Sequence, residues 1–191
     1  MFPRLHIVTD SLDVVRAALG HGPVAIQIRV KQSDRLAYEL TTVVLPLCRA
    51  AGAMCLVNDR IGVALAAGAD GVHVGADDLP VAAARRVLGP SLVLGATCRT
   101  REAARAAVED GATYLGVGPT FETSTKDGLP PPLGRDGVGD VAAAVPGTPV
   151  IAIGGITPER AIRLSTYGVA AVSAIAADPA GATIEFLKAL S

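Results

Sequence analysis

The sequence has no tryptophan, and aromatic residues make up only 3% of its 191 residues. A binding site here must therefore depend on backbone groups, charges and hydroxyls more than on aromatic stacking. The three cysteines, Cys48, Cys55 and Cys98, contain no Cys-x-x-Cys pair and are odd in number. This pattern indicates neither a disulfide framework nor a zinc site, and it is typical of a reducing compartment.

Long hydrophobic runs and clusters of basic residues are also missing. The net charge is −1 with no run of Lys or Arg, which argues against a nucleic-acid partner. No apolar stretch reaches the ~20 residues of a membrane span, because prolines and a glycine pair interrupt the nearest one, residues 141–156. Arg4 falls where a signal peptide would need an apolar core. We expect a cytoplasmic protein with no membrane partner and one domain over residues 1–191.

Short apolar runs alternate with longer helix-like segments along the whole chain. Continuous aliphatic runs of this length are typical of strands that are covered on both faces of a parallel sheet. Eight such strands separated by helices predict an α/β fold, a compact (β/α)₈ TIM barrel, rather than an open doubly wound sheet. The predicted strands are residues 5–9, 24–29, 54–58, 71–74, 92–96, 114–117, 150–153 and 169–173.

Two segments depart from this regular alternation. Pro46 lies inside an apolar pattern of helical spacing that begins at Leu36, so a kink or an early stop is expected there. Residues 119–135 are rich in Thr, Gly and Pro and form the one long segment without a periodic pattern. Because the rest of the chain is economical, we expect this loop to be functional.

Polar residues and glycines cluster where the predicted strands end. In a barrel, the carboxyl ends of the strands form the face that carries the active site. We therefore expect these residues to meet at one mouth of the barrel. They are Gln27, Arg29, Lys31, Asn58, Asp59, His73, Gly75, Asp78, Thr97, Gly118, Gly154, Gly155 and Ser173.

The second predicted strand carries an alternating set of polar residues. Gln27, Arg29 and Lys31 are two residues apart, which predicts that they share one face. Burying two cations is costly unless an anion meets them, and a phosphate or pyrophosphate would supply that charge. The alternative is a set of structural ion pairs, with Asp59 as one partner.

Two carboxylates end neighbouring strands. Asp59 and Asp78 together with a substrate phosphate would suit Mg²⁺, which usually takes few protein ligands and keeps several waters. Each residue also has an ordinary alternative. Asp59 would cap the next helix, and Asp78 would be a solvated carboxylate before Pro80.

The later strands offer hydroxyls and glycines. Residues 123–126 read Thr-Ser-Thr-Lys, a set that can cradle phosphate or can be an ordinary polar loop. Gly154 and Gly155 precede a helix that begins near Pro158. Their backbone N–H groups can approach an anion, although a tight turn is the alternative. Ser173 would complete such a phosphate site.

Nucleophilic machinery is not evident. His73 ends a strand without an evident partner, so a structural role is expected, and His6 carries no functional signal. Cys98 lies near the mouth, but no histidine base is close to it in the sequence, so we expect no nucleophilic role.

Taken in order, these motifs resemble those of the thiamine phosphate synthase family. The resemblance covers nearly the whole chain, and its specificity lies in the order of six motifs rather than in any one. The motifs are Gln27-x-Arg29-x-Lys31, Asn58-Asp59, His73-x-Gly75 with Asp78, Gly118-Pro119 with Thr123-x-Thr125-Lys126, Ala152-Ile153-Gly154-Gly155-Ile156 and Val172-Ser173-Ala174-Ile175.

The resemblance implies a Mg²⁺-dependent transferase with two phosphorylated small-molecule substrates. The enzyme would join a hydroxymethylpyrimidine diphosphate to a hydroxyethylthiazole phosphate and release pyrophosphate. Asp59 and Asp78 would hold Mg²⁺. The pyrimidine diphosphate would be bound by Gln27, Arg29, Lys31, Asn58, Thr97 and Lys126, of which Arg29, Lys31 and Lys126 would also be catalytic. The thiazole phosphate would be bound by Thr123, Thr125, Gly155, Val172 and Ser173.

Two departures from the family pattern and two rival functions stay open. Thr97 stands where the family has a serine, and the helix predicted over residues 157–166 is short. A related thiazole tautomerase would use a histidine where this chain has Arg99. A non-catalytic phosphate-ligand sensor would not need the Asp59 and Asp78 pair. The sequence also leaves open whether the chain forms a homo-oligomer.

Overall fold

The computed structural model describes residues 1–125 and 128–191. In this part of the chain, eight parallel strands close into a barrel in which each strand pairs with the next and the last returns to the first. This confirms the predicted (β/α)₈ TIM barrel. The strands are β1 (Leu5–Thr9), β2 (Val24–Ile28), β3 (Met54–Asn58), β4 (Gly71–Val74), β5 (Val93–Cys98), β6 (Tyr114–Val117), β7 (Val150–Ile153) and β8 (Gly168–Ala171).

Helices connect the strands. Within the described ranges, none of them is both long enough and apolar enough to span a membrane. The helices are α1 (Leu12–Ala18), α2 (Asp34–Ala51), α3 (Ile61–Ala67), α4 (Val81–Leu88), α5 (Arg101–Glu109), α6 (Gly134–Ala143), α7 (Pro158–Ala161), α8 (Ser173–Ala176) and α9 (Pro179–Ala189).

Alternate residues of each strand enter two separate cores. Side chains such as Ile26 and Leu115 are fully buried in the outer core, which packs the barrel against its helices. The side chains that point the other way, such as Leu56, Tyr114 and Ile151, belong to an inner core inside the barrel. Burial on both sides is the reason that the strands are continuously aliphatic and do not alternate with polar residues.

Several predicted boundaries differ from the structure. The strand predicted over residues 92–96 continues to Cys98, because Cys98 still pairs with Val117 of β6. In contrast, β8 stops at Ala171, and Ser173 begins α8 instead of ending the strand.

The predicted early stop at Pro46 is wrong. α2 runs through this residue and ends later, at Gly52, whose φ of 65° lies in the left-handed region. Pro46 is exposed, and so is Thr42, whose carbonyl oxygen loses its helical partner at this proline. Water can satisfy that carbonyl, which lowers the cost of a proline inside the helix.

Candidate active site

A cavity of about 280 Å³ opens at the carboxyl ends of the strands. It brings together predicted site residues from most of the strands and from the long loop after β6. The predicted site residues that line the cavity are Gln27, Arg29, Asn58, Asp59, Asp78, Thr97, Thr123, Thr125, Gly155, Val172 and Ser173.

Neither of the two predicted lysines is among the described residues that line the cavity. Lys31 is exposed and is not among the lining residues. β2 ends at Ile28, so the alternation that predicted a shared face does not extend to Lys31. The Lys31 carbonyl instead accepts a hydrogen bond from Arg60 Nη2 at 3.0 Å. Lys126 lies outside the described residues.

Side chains from β2 and β3 form a polar edge on one wall of the cavity. Gln27 is 6% exposed, and its Nε2 donates to Asn58 Oδ1 at 2.7 Å. In this arrangement, the Gln27 carbonyl oxygen is an acceptor and the Asn58 amide nitrogen is a donor for a ligand. Arg29 is partly buried beside them, and the described residues offer its guanidinium no hydrogen bond or ion pair.

The two predicted metal carboxylates converge at Gly75. A Cβ atom placed on Gly75 would lie 3.0 Å from Asp78 Oδ2 and 4.0 Å from Asp59 Oδ1. Asp78 is exposed, and its Oδ2 also accepts the Gly75 N–H at 2.7 Å, a local contact that leaves the alternative of a solvated loop carboxylate open. The helix-cap alternative for Asp59 is wrong, because the N-cap of α3 is Arg60.

The backbone at Asp59 is itself unusual. Its φ of 65° is the only positive value at a non-glycine residue in the described ranges. Left-handed backbone is disfavoured for residues with a side chain, and such strain occurs most often at functional sites. No group of three His, Cys, Asp or Glu side chains suited to a metal is found in those ranges. A pair of carboxylates that leaves room for phosphate oxygens and water fits Mg²⁺.

The opposite wall is made mainly of backbone and hydroxyls. Gly154 and Gly155 have φ values of 97° and 63°, which favour glycine. A Cβ atom on Gly155 would lie 2.5 Å from the Glu122 carbonyl oxygen. In the loop nearby, the Thr123 and Thr125 hydroxyl oxygens lie 3.0 Å apart.

The helices behind this wall are short. α7 has four residues and carries Glu159 in its first turn, so the expected contribution of its dipole to anion binding is small. α8, which Ser173 begins, directly follows β8. Barrel enzymes frequently bind phosphate at a short helix in this place, where the first N–H groups have no acceptor within the helix.

Arg99 joins the two ends of the loop after β6. Its Nη1 donates to the Gly118 carbonyl at 2.8 Å, and its Nη2 donates to the Pro131 carbonyl at 2.7 Å. The Leu133 N–H also donates to the Pro119 carbonyl at 2.9 Å. The segment that carries Thr123 and Thr125 is thus fastened at its base, a role that the sequence analysis did not predict for Arg99.

A polar cluster forms the floor of the cavity. His73 Nδ1 lies 2.9 Å from the Tyr114 hydroxyl, and His73 Nε2 lies 3.0 Å from Thr97 Oγ1. His73 therefore has two partners, although none was evident in the sequence. Burial lowers the pKa of His73 to about 4, an effect that the negative charge of Asp78 partly opposes.

His6 lies beside this cluster. It is 1% exposed, and its Nε2 has no hydrogen-bond partner among the described residues. Burial, together with the nearby His73, lowers the pKa of His6 to about 3, although a hydrogen bond to the Pro3 backbone opposes the shift. The sequence analysis missed both His6 and Tyr114. The available signal for Tyr114 was Gly95, the glycine that stands opposite it on the neighbouring strand β5.

The fold and the cavity define the class of this protein, a (β/α)₈ barrel with a polar ligand cavity at the carboxyl ends of its strands. A family model described as thiamine monophosphate synthase matches residues 3–177. The chain belongs to the thiamine monophosphate synthase family, which confirms the resemblance seen in the sequence.

Individual relatives agree with this assignment. The chain is 54% identical to the thiamine-phosphate synthase of Salinispora arenicola, over 98% of this chain and 97% of the relative. It is 52% identical to that of Salinispora tropica, with the same coverage. Among solved structures, the thiamine phosphate pyrophosphorylase of Pyrococcus furiosus superposes with a TM-score of 0.88 at 35% identity, covering 98% of this chain and 95% of that one.

Proposed function

We propose that this chain condenses hydroxymethylpyrimidine diphosphate with hydroxyethylthiazole phosphate, giving thiamine phosphate and pyrophosphate. The observation that carries the proposal is a single cavity with two unlike walls in a member of this family. One wall offers carboxylates, a guanidinium and paired amides. The other offers glycine backbone and hydroxyls. Two anionic substrates need two such surfaces close together.

The reaction itself needs little from acid or base groups. Pyrophosphate leaves the methylene carbon of the pyrimidine, and the thiazole nitrogen forms the new bond to that carbon. The protein must stabilise the leaving negative charge and hold the two substrates in position. Arg29 is placed at the cavity for the first task. Lys31 and Lys126 stay predictions for the same task, since Lys31 does not line the cavity and Lys126 lies outside the described residues.

The polar edge formed by Gln27 and Asn58 matches an aminopyrimidine. The amino group of that ring is a donor, and the adjacent ring nitrogen is an acceptor. The Gln27 carbonyl oxygen and the Asn58 amide N–H groups present the complementary acceptor and donor, because the Gln27 amide already donates to Asn58 Oδ1. This complementarity supports the assignment of the pyrimidine to the wall formed by β2 and β3.

Mg²⁺ is part of the proposal. Asp59 and Asp78 would hold it, since their oxygens converge at Gly75. A bound Mg²⁺ would neutralise charge on the pyrophosphate as it leaves. The chain's own part is to hold the two carboxylates in place, and the Gly75 N–H does this for Asp78.

The thiazole phosphate is assigned to the opposite wall. Its phosphate would meet the Thr123 and Thr125 hydroxyls, the backbone at Gly155 and the start of α8 at Ser173, with Val172 beside it. We further propose that the reaction takes place in the cytoplasm and that the two substrates are the chain's small-molecule partners. The free cysteines are compatible with a reducing compartment.

The decisive experiment measures pyrophosphate and thiamine phosphate formed by the purified chain with each substrate alone and with both. Pyrophosphate release is expected only when both substrates and Mg²⁺ are present, and EDTA should abolish it. Isomerisation of a thiazole phosphate without pyrophosphate release would instead identify a tautomerase. Binding of phosphate ligands without turnover would identify a sensor. Turnover that survives EDTA would overturn the metal assignment.

A further inference from the structure

We propose that Tyr114 and His73 form a hydrogen-bond relay that fixes the Thr97 hydroxyl as a donor to the pyrimidine ring. Tyr114 and His73 are thus positioning residues, which act on the substrate through Thr97. The part of the proposal that concerns the substrate rests on the function proposed above. The part that concerns the relay depends only on the structure.

The geometry places the imidazole of His73 between two hydroxyls. Tyr114 Oη lies 2.9 Å from Nδ1, and Thr97 Oγ1 lies 3.0 Å from Nε2. The three residues come from the adjacent strands β4, β5 and β6, and all three line the cavity. The chain of hydrogen bonds therefore runs from the inner core of the barrel toward the ligand.

Two glycines make room for this chain. A Cβ atom on Gly116 would lie 2.8 Å from His73 Cε1. A Cβ atom on Gly95 would overlap both the Tyr114 ring and His73 Nδ1. Since any larger residue at either position would displace the imidazole, the barrel interior is shaped around His73 and Tyr114.

The relay has only two possible directions. Tyr114 is buried, and the two hydrogen-bond partners of the His73 ring are hydroxyls rather than charged groups, an environment that favours the neutral form of both side chains. A neutral imidazole carries one N–H and one acceptor nitrogen. Either Tyr114 donates to Nδ1 and Nε2–H donates to Thr97, or both hydrogen bonds run the other way.

The burial of Tyr114 selects the first direction. Tyr114 is 1% exposed, and His73 Nδ1 is its only hydrogen-bond partner among the described residues. If Nδ1 carried the proton, the Tyr114 O–H would be a buried donor without an acceptor, which is disfavoured. His6 Nε2 does not accept it, because that atom has no partner in residues 1–125 or 128–191.

The direction of the relay determines what Thr97 offers to a ligand. When His73 Nε2–H donates to Thr97 Oγ1, the Thr97 proton is free to point into the cavity. Gln27 and Asn58 face the same cavity and match the amino edge of the pyrimidine. A second ring nitrogen of the pyrimidine is an acceptor, and a donor hydroxyl satisfies it. In the opposite direction, Thr97 would present a lone pair to that nitrogen.

The first test is made on the ligand-free protein and does not depend on the proposed activity. Nitrogen-15 NMR correlated to the ring protons identifies the tautomer of each histidine, and a His73→Gln variant assigns the His73 signals. We expect the Nε2–H tautomer for His73 near pH 7. The Nδ1–H tautomer would overturn the relay. In Tyr114→Phe, where Nδ1 has lost its donor, the signals should shift toward a mixture of tautomers.

The second test uses kinetics. Tyr114→Phe keeps the ring and removes the hydroxyl. The loss of one hydrogen bond from the relay should lower kcat/KM for the pyrimidine diphosphate about 10-fold, with KM for the thiazole phosphate unchanged. Tyr167→Phe is the matched control, because it removes a tyrosine hydroxyl that donates to the Phe2 carbonyl at 2.6 Å and does not line the cavity.

A double-variant cycle separates a relay from a merely structural effect. Thr97→Val removes the hydroxyl with nearly the same shape. In the Thr97→Val background, Tyr114→Phe should cost almost nothing further, since no hydroxyl is left to orient. An equal cost in both backgrounds would refute the relay. If the wild type released no pyrophosphate, the proposed function would fail, and the NMR result would still decide the relay.

Discussion

The two walls of the cavity use different parts of the chain for recognition. On the β2–β4 side, charged and amide side chains such as Arg29 and Asp78 line the cavity. On the β6–β8 side, the contacts come from backbone shaped by glycines such as Gly155, and from hydroxyls. A side-chain wall can lose its function by one change that leaves the fold intact. On the other wall, which we call the backbone wall, the glycine contacts are lost only when the path of the chain changes.

The largest expected effect is on the side-chain wall. Asp78→Asn keeps an oxygen to accept the Gly75 N–H and removes the negative charge. We expect turnover to fall about 100-fold or more, in line with the loss of one preorganised electrostatic group, and the Mg²⁺ concentration for half-maximal activity to rise. Pyrophosphate release measured across a Mg²⁺ titration checks both effects.

The matched control for this change is Asp110→Asn, which removes a carboxylate at the exposed end of α5. It should leave the Mg²⁺ titration unchanged. Circular dichroism should show the same fold for both variants. Wild-type turnover in Asp78→Asn would remove Asp78 from the metal site and with it the proposed chemistry of this wall.

The backbone wall should be the next most sensitive. Gly155→Ala places a Cβ atom 2.5 Å from the Glu122 carbonyl and 3.0 Å from Phe121 Cβ, at a φ of 63°. The loop must shift to relieve this contact, so KM for the thiazole phosphate should rise about 10-fold, while a strained residue costs about 1–3 kcal/mol of stability. KM for the pyrimidine diphosphate should change much less.

Gly139→Ala is the matched control for that substitution. Gly139 lies within α6, and a Cβ atom there would meet nothing within 4 Å. Alanine should stabilise the helix by about 0.5–1 kcal/mol and leave both KM values unchanged. Equal increases of both KM values in Gly155→Ala would contradict the division of the cavity into two walls.

The sequence reveals these two walls unequally. The side-chain wall could be predicted because Gln27, Asn58 and Asp78 lie at or just after the ends of strands, where a barrel brings them together. Lys31 shows the limit of that argument, because the alternation holds only as far as the strand ladder, which ends at Ile28. On the other wall, the glycines were visible, but the positive φ and the contact with the loop required coordinates.

The base of the long loop offers a smaller test of the backbone wall. Arg99→Ala removes two hydrogen bonds to the Gly118 and Pro131 carbonyls. We expect KM for the thiazole phosphate to rise about 5-fold, which corresponds to about half of the roughly 2 kcal/mol that two such bonds contribute to the order of the loop. The control is Arg105→Ala, at an exposed position of α5. An effect on the pyrimidine KM alone would show that Arg99 serves the other wall.

The floor that joins the two walls was the least predictable part of the site. Sequence alternation indicates that His73 and Tyr114 point inward, but not which inward residues touch across the barrel. Those contacts depend on the stagger of the strands, which pairs Gly95 with Tyr114 and Thr97 with Gly116. His6 carries no functional signal in the sequence for the same reason, although the structure places its ring against the Tyr114 ring, with centroids 5.0 Å apart.

The prediction with the smallest effect on activity concerns this floor, and it appears in stability. The pKa of His6 falls from 6.5 to about 3 on folding, mainly because of burial. Between these values, the unfolded chain binds a proton that the folded chain does not. The free energy of unfolding should therefore fall as pH decreases below 6.5, by up to about 1.4 kcal/mol per pH unit from this residue. His73 adds to the slope down to about pH 4.

His6→Phe isolates the contribution of His6. It replaces the unpartnered ring nitrogen with an apolar ring of similar shape but loses the hydrogen bond to the Pro3 backbone, so the stability at pH 7 should stay close to that of the wild type. Urea unfolding at several pH values between 7 and 4.5 should show a shallower loss of stability in the variant than in the wild type. His21→Gln, which replaces an exposed histidine, provides the control. If His6→Phe kept the full wild-type slope, the acid sensitivity would have to arise elsewhere, and the floor would contribute nothing to it beyond the shape of its side chains.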